Sequence, residues 1–433
     1  MRPNFVFILA DDLGYADLGC YGGRSDCSPV LDRMAAAGLR FSDGYANSPV
    51  CSPTRFALMT GRWQYRLRAG ADEPIATRHR GNPVLGLPPS HPTLASLLRD
   101  AGYATALAGK WHLGFLPHFG PLKSGYQEFF GAMSGGVDYF THRDSAGAHD
   151  LFEGEAPAHR TGYLTDLISQ RAVEFIGRQR GGRSPFLLSV HYTAPHWPWE
   201  TRGDADEAQR LEKLYHFDGG SVEIYRTMIR QMDEGVGCIL EALRAAGAEE
   251  TTLVVFTSDN GGERYSDTWP LVGKKMDLLE GGIRVPYIVR WPARVKAGGV
   301  SAQPVITMDW VATFLEAAAV APHRDYPLDG RSLLRVLEDP GATFERDLFW
   351  RMKYRDQRAA RSGDWKYFAS EDGEFLFNLA RDARERANLA GREPRRLAAL
   401  RAKYQAWERS IPPLPPDAAY SIPYTRADLA HPS

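Results

Sequence analysis

The sequence contains few cysteines, almost no net charge and no long apolar run. Its 433 residues include four cysteines, too few for a disulfide framework and without paired metal-ligand spacing. Lysine and arginine (52) nearly balance aspartate and glutamate (53), so the formal net charge of −1 creates no field that would hold a polyanion. We therefore expect a protein of a reducing compartment that does not bind nucleic acid.

The apolar segments are all shorter than a bilayer-spanning helix requires. The N-terminal run from Phe5 to Ala10 is interrupted by Asp11 and Asp12 before any cleavage-type segment, so we interpret it as a buried strand. These features predict a cytoplasmic location and no membrane partner.

Strand-length apolar runs alternate with helical patterns through most of the chain, which is typical of a parallel sheet with helices on both faces. One helix is expected to begin at Ser28-Pro29, with the serine as its capping residue. After about Pro322, short β-like segments and one helix indicate a small antiparallel sheet. We predict an α/β fold with a large mixed, mostly parallel sheet between helices, followed by a smaller domain.

The predicted organisation has three parts, and the length suffices for one large and one small domain. They are a large α/β domain over residues 1–335, a C-terminal α+β domain over 336–410, and a proline-rich tail over 411–433. The tail is expected to lie extended over another surface because its prolines favour an open backbone.

Polar residues follow four predicted strands at the point where each strand ends, and open α/β sheets bind ligands there. These segments are Asp11-Asp12, Gly109-Lys110-Trp111-His112, His191 with Ala194-Pro195-His196, and Ser258-Asp259-Asn260-Gly261-Gly262. Each acidic pair alone is typical of a turn. Two pairs in one sheet instead favour a site for Ca²⁺ or Mg²⁺, because their hard oxygens suit these ions.

Cys51 opens the segment Cys51-Ser52-Pro53-Thr54-Arg55, which precedes a short helical run. Pro53 suits a first helical turn, so Cys51 is expected at or just before a helix N-terminus, where backbone N–H groups attract an anion. A lone cysteine is more often a small buried apolar group. We interpret the other cysteines as such structural thiols: Cys20, Cys27 and Cys238.

These segments resemble the signature motifs of the type I, formylglycine-dependent sulfatases of the alkaline phosphatase superfamily. The resemblance covers nearly the whole chain, with the motifs in the family's order. Besides the segments above, the matching residues are Thr60-Gly61-Arg62, Gly102-Tyr103-Ala104-Thr105, Ala194-Pro195-His196-Trp197-Pro198, Lys275 to Pro286, and Arg361-Ser362-Gly363-Asp364-Trp365-Lys366.

The resemblance implies that a separate maturation enzyme converts Cys51 to formylglycine (3-oxoalanine), and that the aldehyde hydrate is the nucleophile. A divalent ion, Ca²⁺ with Mg²⁺ as the alternative, would contact residue 51 and be held by Asp11, Asp12, Asp259 and Asn260. The remaining implied roles are that Arg55 steadies the hydrate, Lys110 and Lys275 bind sulfate oxygens, His112 acts on the formylglycine hydroxyl, and His196 faces the leaving-group oxygen.

Candidate substrate contacts come from two further segments. Gly135 to His142 is similar to a segment that lines the sulfate pocket of some sulfatases, which makes Asp138 and His142 candidate contacts. Trp197 is a candidate wall for an aromatic or sugar leaving group.

We therefore predict a sulfuric ester hydrolase whose substrate is a small-molecule or saccharide sulfate ester, either an aryl sulfate or a sulfated sugar. Two alternatives stay open: a phosphonate or phosphate ester hydrolase that uses the same residues, and a non-enzymatic metal-binding module with an unmodified Cys51. The oligomeric state is also open.

Overall fold

The secondary structure alternates between strands and helices over most of the chain, and the computed structural model describes residues 2–182, 184–210 and 219–421. The strands are β1 (Asn4–Ala10), β2 (Leu39–Phe41), β3 (Gly44–Tyr45), β4 (Ala104–Gly109), β5 (Glu128–Gly131), β6 (Phe152–Glu153), β7 (Ala156–Pro157), β8 (Phe186–His191), β9 (Thr252–Ser258), β10 (Tyr287–Arg290), β11 (Gly299–Ser301), β12 (Val305–Ile306), β13 (Asp347–Met352), β14 (Gln357–Ser362), β15 (Trp365–Ser370) and β16 (Gly373–Asn378). The helices are α1 (Pro29–Ala36), α2 (Cys51–Thr60), α3 (Leu94–Asp100), α4 (Leu164–Arg178), α5 (Ala205–Ala208), α6 (Val222–Ala245), α7 (Glu280–Ile283), α8 (Asp309–Ala317), α9 (Leu334–Glu338) and α10 (Pro394–Arg409).

A ten-stranded mixed sheet forms the core, in the order β11-β2-β10-β9-β1-β8-β4-β5-β6-β7. Its central strands from β9 to β5 are parallel, whereas β10 and β6 pair antiparallel with their neighbours. Along β1, Val6 and Ile8 join the apolar cluster on one face, and Phe5 and Phe7 join the cluster on the other. A strand that is apolar on both faces must be covered on both faces by other elements, which exclude water from its side chains. The predicted α/β fold is confirmed.

Helix α1 begins at Pro29 as expected, but Ser28 does not cap it. The Ser28 side chain makes no capping hydrogen bond. Instead, the carboxylate of Asp233 on α6 accepts the N–H groups of Val30 and Leu31, each at 2.8 Å. The expectation for Ser28 was wrong because a carboxylate that is distant in the sequence satisfies the helix N-terminus.

Helix α6 packs one apolar side onto the sheet and leaves the other side polar. Met228, Met232, Val236 and Ile239 recur at helical spacing and are buried. Among the residues that the structure describes, no helix combines the length and apolar character that crossing a membrane requires. The cytoplasmic location stays a prediction.

A second, antiparallel sheet follows in the order β13-β14-β15-β16, and α10 packs against it. A third apolar cluster contains residues of this sheet together with Cys51 and Ala57 of α2, so the sheet packs next to the helix that carries Cys51. The division at residues 335 and 410 stays a prediction. Residues 422–433 of the predicted tail lie outside the described residues.

Lys366 of β15 is the buried centre of an ion-pair network beside this packing surface. Its Nζ lies 3.0 Å from Glu280 and 2.8 Å from Glu385, and all three side chains are fully buried. We expect Lys366→Met to lower the free energy of unfolding by about 3–5 kcal/mol, because it leaves the buried Glu385 without its cation, whereas Glu280 keeps Arg284 at 3.4 Å. Urea unfolding measures this change.

The matched control is Arg358→Met, which removes an exposed arginine paired with Asp356. A surface pair of this kind contributes about 1 kcal/mol or less. A change for Lys366→Met as small as the control's would contradict a structural role for the buried network.

Candidate active site

The two acidic pairs meet because their strands are neighbours. Strands β1 and β9 run parallel, with Ala10 opposite Ser258, so the residues that follow them leave the sheet side by side. Asn260 Nδ2 donates to Asp12 Oδ1 at 2.7 Å. All four candidate metal ligands are buried: Asp11, Asp12, Asp259 and Asn260.

Cys51 is the first residue of α2, where the sequence predicted a helix N-terminus. Its Sγ and one carboxylate oxygen each of Asp11 and Asp259 lie within 4.8 Å of one another. Burial raises the pKa of the Cys51 thiol to about 11, although Lys110 and Lys275 partly offset this. The thiol is therefore protonated near neutral pH and is a poor nucleophile as it stands.

Three buried cations surround this group, and each pairs with a carboxylate. Lys110 Nζ donates to Asp11, and Lys275 Nζ donates to Asp12 at 2.7 Å. Arg55 donates from Nε and Nη2 to one oxygen of Asp259, at 3.0 and 2.8 Å. Each of these buried cations thus has a carboxylate partner.

The acidity of Asp12 reflects this pairing. Burial by itself disfavours the carboxylate, but Lys275 and His196 hold the pKa of Asp12 below its ordinary value. Lys275, which the family resemblance implied as a ligand of the sulfate, has its Nζ at Asp12.

Three histidines lie around the charged centre, and burial lowers the pKa of each well below its ordinary value. His196 Nε2 is 3.6 Å from Asp12 Oδ2, and Trp197 O lies 2.6 Å from His196 Nδ1. His112 Nε2 is 2.8 Å from Ile75 O. His191 lies behind the site, with Nδ1 3.2 Å from Lys110 O. The imidazoles are neutral at pH 7 and available to accept or relay a proton.

The residues at the strand ends fit a divalent cation. Asp11 Oδ1 and Asn260 Oδ1 are buried and have no hydrogen-bond partner among the described residues. Burial and the neighbouring charge of Asp11 raise the pKa of Asp259. A bound cation would offset the repulsion between these two carboxylates. Unpaired hard oxygens next to mutually repelling carboxylates are the chemistry of a Ca²⁺ or Mg²⁺ site.

A cavity of about 500 Å³ opens beside Cys51. Cys51, His112, His196, Trp197 and Lys275 line it, so the thiol and its candidate partners face a common space. This volume falls in the range of small-molecule sites.

Asp138 and His142 are buried and lie outside the lining of that cavity. The Asp138 carboxylate accepts the N–H groups of Phe140 and Thr141, at 2.9 and 2.6 Å, which stabilises the local turn. Their role as substrate contacts stays a prediction.

Glu263 and two segments that line the cavity were not among the residues expected from the sequence. The Glu263 carboxylate lies 3.9 Å from Lys275 Nζ, and its position just after Asp259–Gly262 was a usable signal. Residues 74–78 and 420–421 line the cavity, although neither segment carries a recognisable motif.

Known proteins are similar to this chain over most of its length. The family model described as Sulfatase matches residues 3–320. The chain belongs to the sulfatase family. It is a member of the alkaline phosphatase superfamily and an enzyme that hydrolyses sulfate esters. A second model, described as N-sulphoglucosamine sulphohydrolase, C-terminal, matches residues 269–403, so the family match extends over the antiparallel sheet.

Individual sulfatases are similar over most of the chain. N-acetylgalactosamine-6-sulfatase of Canis lupus familiaris is 36% identical over 80% of this chain and 68% of its own length. Arylsulfatase A of Homo sapiens is 32% identical over 84% of this chain and 74% of its own. The crystal structure of Ps i-CgsB in complex with k-i-k-neocarrahexaose superposes with a TM-score of 0.84 at 30% identity, over 95% of this chain and 94% of that one. These matches favour a sulfatase over the binding-module alternative.

Proposed function

We propose that the enzyme cleaves sulfate monoesters with formylglycine at position 51 and a divalent cation bound at the ends of β1 and β9. The observation that carries this proposal is the position of Cys51 at the N-terminus of α2, within 4.8 Å of carboxylate oxygens of Asp11 and Asp259. The protonated thiol that burial enforces supports a chemically modified nucleophile over the cysteine itself.

Asp11, Asp12, Asp259 and Asn260 would hold the cation, which would supply Lewis-acid polarisation of a sulfate oxygen. The aldehyde hydrate at position 51 would supply two hydroxyls: one for attack on sulfur, and one whose deprotonation releases sulfate and restores the aldehyde. Since each of the three cationic side chains is paired with a carboxylate, the bound ion would supply the further positive charge that attracts an anionic ester.

Other residues of the site would bind the sulfate, orient Asp259 and transfer protons. Lys275, which lines the cavity, and Lys110, which is buried beside Asp11, would bind sulfate oxygens, and Arg55 would orient Asp259 beside position 51. His112 lines the cavity as a neutral base for a hydroxyl proton at position 51. His196 lines the same cavity and would face the leaving-group oxygen.

A sulfated saccharide is the substrate class that we favour. The cavity has room for a sugar ring, and Trp197 supplies an aromatic surface against which such a ring can pack. N-acetylgalactosamine-6-sulfatase and the neocarrahexaose complex, both at least 30% identical to this chain, support the same choice by their names. Simple aryl sulfates are the second candidates, whereas family membership does not favour phosphonate or phosphate esters.

The mass of the tryptic peptide Phe41 to Arg55 tests the nucleophile. Protein from its native host, or co-expressed with a formylglycine-generating enzyme, is expected to have lost the cysteine sulfur and gained an aldehyde oxygen. The control peptide is the one that contains Cys238, an exposed thiol that should remain unmodified. An unmodified Cys51 in protein that turns over sulfate esters would contradict the proposal.

A further inference from the structure

The C-terminal segment 411–421 runs from the antiparallel sheet to the mouth of the active-site cavity. Glu73 N–H donates to Ala419 O at 2.9 Å, and Ser421 N–H donates to Glu73 O at 2.9 Å. Asp72 Oδ1 accepts the Ala419 N–H at 3.0 Å. These bonds fix the backbone on both sides of Tyr420.

Side-chain contacts anchor the same segment further back. Arg68 pairs with Asp417 at 2.9 Å, and Lys353 Nζ donates to Pro416 O at 3.1 Å. Because the segment makes ordered contacts with residues far away in the sequence, its last described residues have a defined place at the cavity.

Tyr420 and Arg78 are two lining residues of this cavity for which the proposed reaction has no role. The Tyr420 side chain is 47% exposed, and its ring centroid lies 5.7 Å from that of Tyr354. The Arg78 guanidinium is exposed and donates to Ser421 Oγ at 3.0 Å.

The charge of Arg78 distinguishes it from the cations at the reaction centre. Lys110, Lys275 and Arg55 each pair with a buried carboxylate. Within residues 2–182, 184–210 and 219–421, no carboxylate forms an ion pair with Arg78. A planar guanidinium at a cavity mouth binds carboxylates and sulfates through two parallel hydrogen bonds.

We propose that Tyr420 and Arg78 form a second binding site for the substrate, which selects saccharide sulfates that carry an additional anionic group. The apolar face of a sugar ring packs on Tyr420, and a second sulfate or a uronate carboxylate pairs with Arg78. This inference rests on the proposed hydrolysis of saccharide sulfates and adds what the enzyme recognises beyond the cleaved group.

The test compares kcat/KM for N-acetylhexosamine monosulfates, for the matching disulfates, for uronate-containing disaccharide monosulfates, and for 4-nitrophenyl sulfate. Arg78→Ala is expected to lower the preference for the substrates with a second anion over the N-acetylhexosamine monosulfates by about tenfold, as loss of one charged hydrogen-bonded pair does. Arg78→Lys should recover part of that preference, because it keeps the charge but not the planar fork.

Tyr420→Ala is expected to raise KM for the saccharides more than for 4-nitrophenyl sulfate, whereas Tyr420→Phe should behave like the parent enzyme because it keeps the ring. The matched controls lie outside the cavity lining: Arg244→Ala, an exposed arginine on α6, and Trp269→Ala, an aromatic side chain that is 53% exposed. Neither should alter the ratios between substrates.

The outcomes separate the two proposals. A parent enzyme that hydrolyses sulfate esters without preference for a second anion, or an Arg78→Ala variant with unchanged ratios, would overturn the second site and leave the hydrolysis intact. If Tyr420→Phe and Tyr420→Ala raise KM for the saccharides equally, relative to KM for 4-nitrophenyl sulfate, the proposed contact between the sugar and the Tyr420 ring is wrong. Failure of the matured parent enzyme on every ester would overturn both proposals.

Discussion

Cys51→Ala is expected to lower the turnover of sulfate esters by at least about 10⁴-fold, as removal of a covalent nucleophile does in other hydrolases. The side chain lies at a helix N-terminus and lines the cavity together with Lys275 and His196, so no other group occupies its position. The fold should persist because alanine also suits the first turn of a helix. Steady-state rates with 4-nitrophenyl sulfate, together with the thermal midpoint, measure both effects.

Cys51→Ser tests the chemistry of the second hydroxyl. A serine can attack sulfur, but it lacks the geminal hydroxyl whose deprotonation would expel sulfate. We expect at most one slow turnover and a sulfated residue 51 detectable by mass. Cys238→Ala, at an exposed free cysteine, is the matched control and should keep normal turnover. Near-normal rates for either variant at position 51 would show that the nucleophile lies elsewhere.

Removal of the divalent cation by a chelator is expected to lower turnover by at least about 10²-fold, because Lewis-acid stabilisation contributes several kcal/mol. Adding back Ca²⁺ should restore the rate, and a parallel series with Mg²⁺ decides between the two ions. The chelator already saturated with Ca²⁺ serves as the control for non-specific effects.

Cation binding should also raise the thermal midpoint, since a ligand that binds only the folded state stabilises that state. This shift gives a reading independent of activity. We expect it to disappear in Asp11→Ala and to persist in Asp26→Asn, which alters a side chain that is 93% exposed. If neither Ca²⁺ nor the chelator changes the thermal midpoint and the turnover rate of the parent protein, the proposed metal site is wrong.

The regular elements were predictable from local pattern. The apolar run from Phe5 to Ala10 was interpreted as a buried strand and lies within β1, because it is uninterrupted and ends at Asp11. The small antiparallel sheet expected after about Pro322 is also present, since its short strands are flanked by glycine or polar residues. Ser28 failed as a cap because the true acceptor, Asp233, is distant in the sequence and only the tertiary fold brings it near.

The candidate site shows the same division. The acidic pairs, Cys51 and Lys110 were identifiable because each lies at the end of a recognisable element. Their convergence depended on β1 and β9 being neighbours, which strand patterns alone leave open. The sequence did not indicate that Arg78 and Tyr420 line the cavity, because exposed residues in irregular segments show no periodicity.

Local sequence patterns are enough to establish the α/β class, the order of the elements, the family resemblance and the residues with the required chemistry. These properties are local, since apolar periodicity and motif spacing depend on residues that are close together in the sequence. The three-dimensional fold sets which carboxylate pairs with which cation, which side chains are buried, and which segments line the cavity. Burial and pairing depend on contacts between distant residues, so the pKa of the Cys51 thiol and the place of Tyr420 follow from the fold.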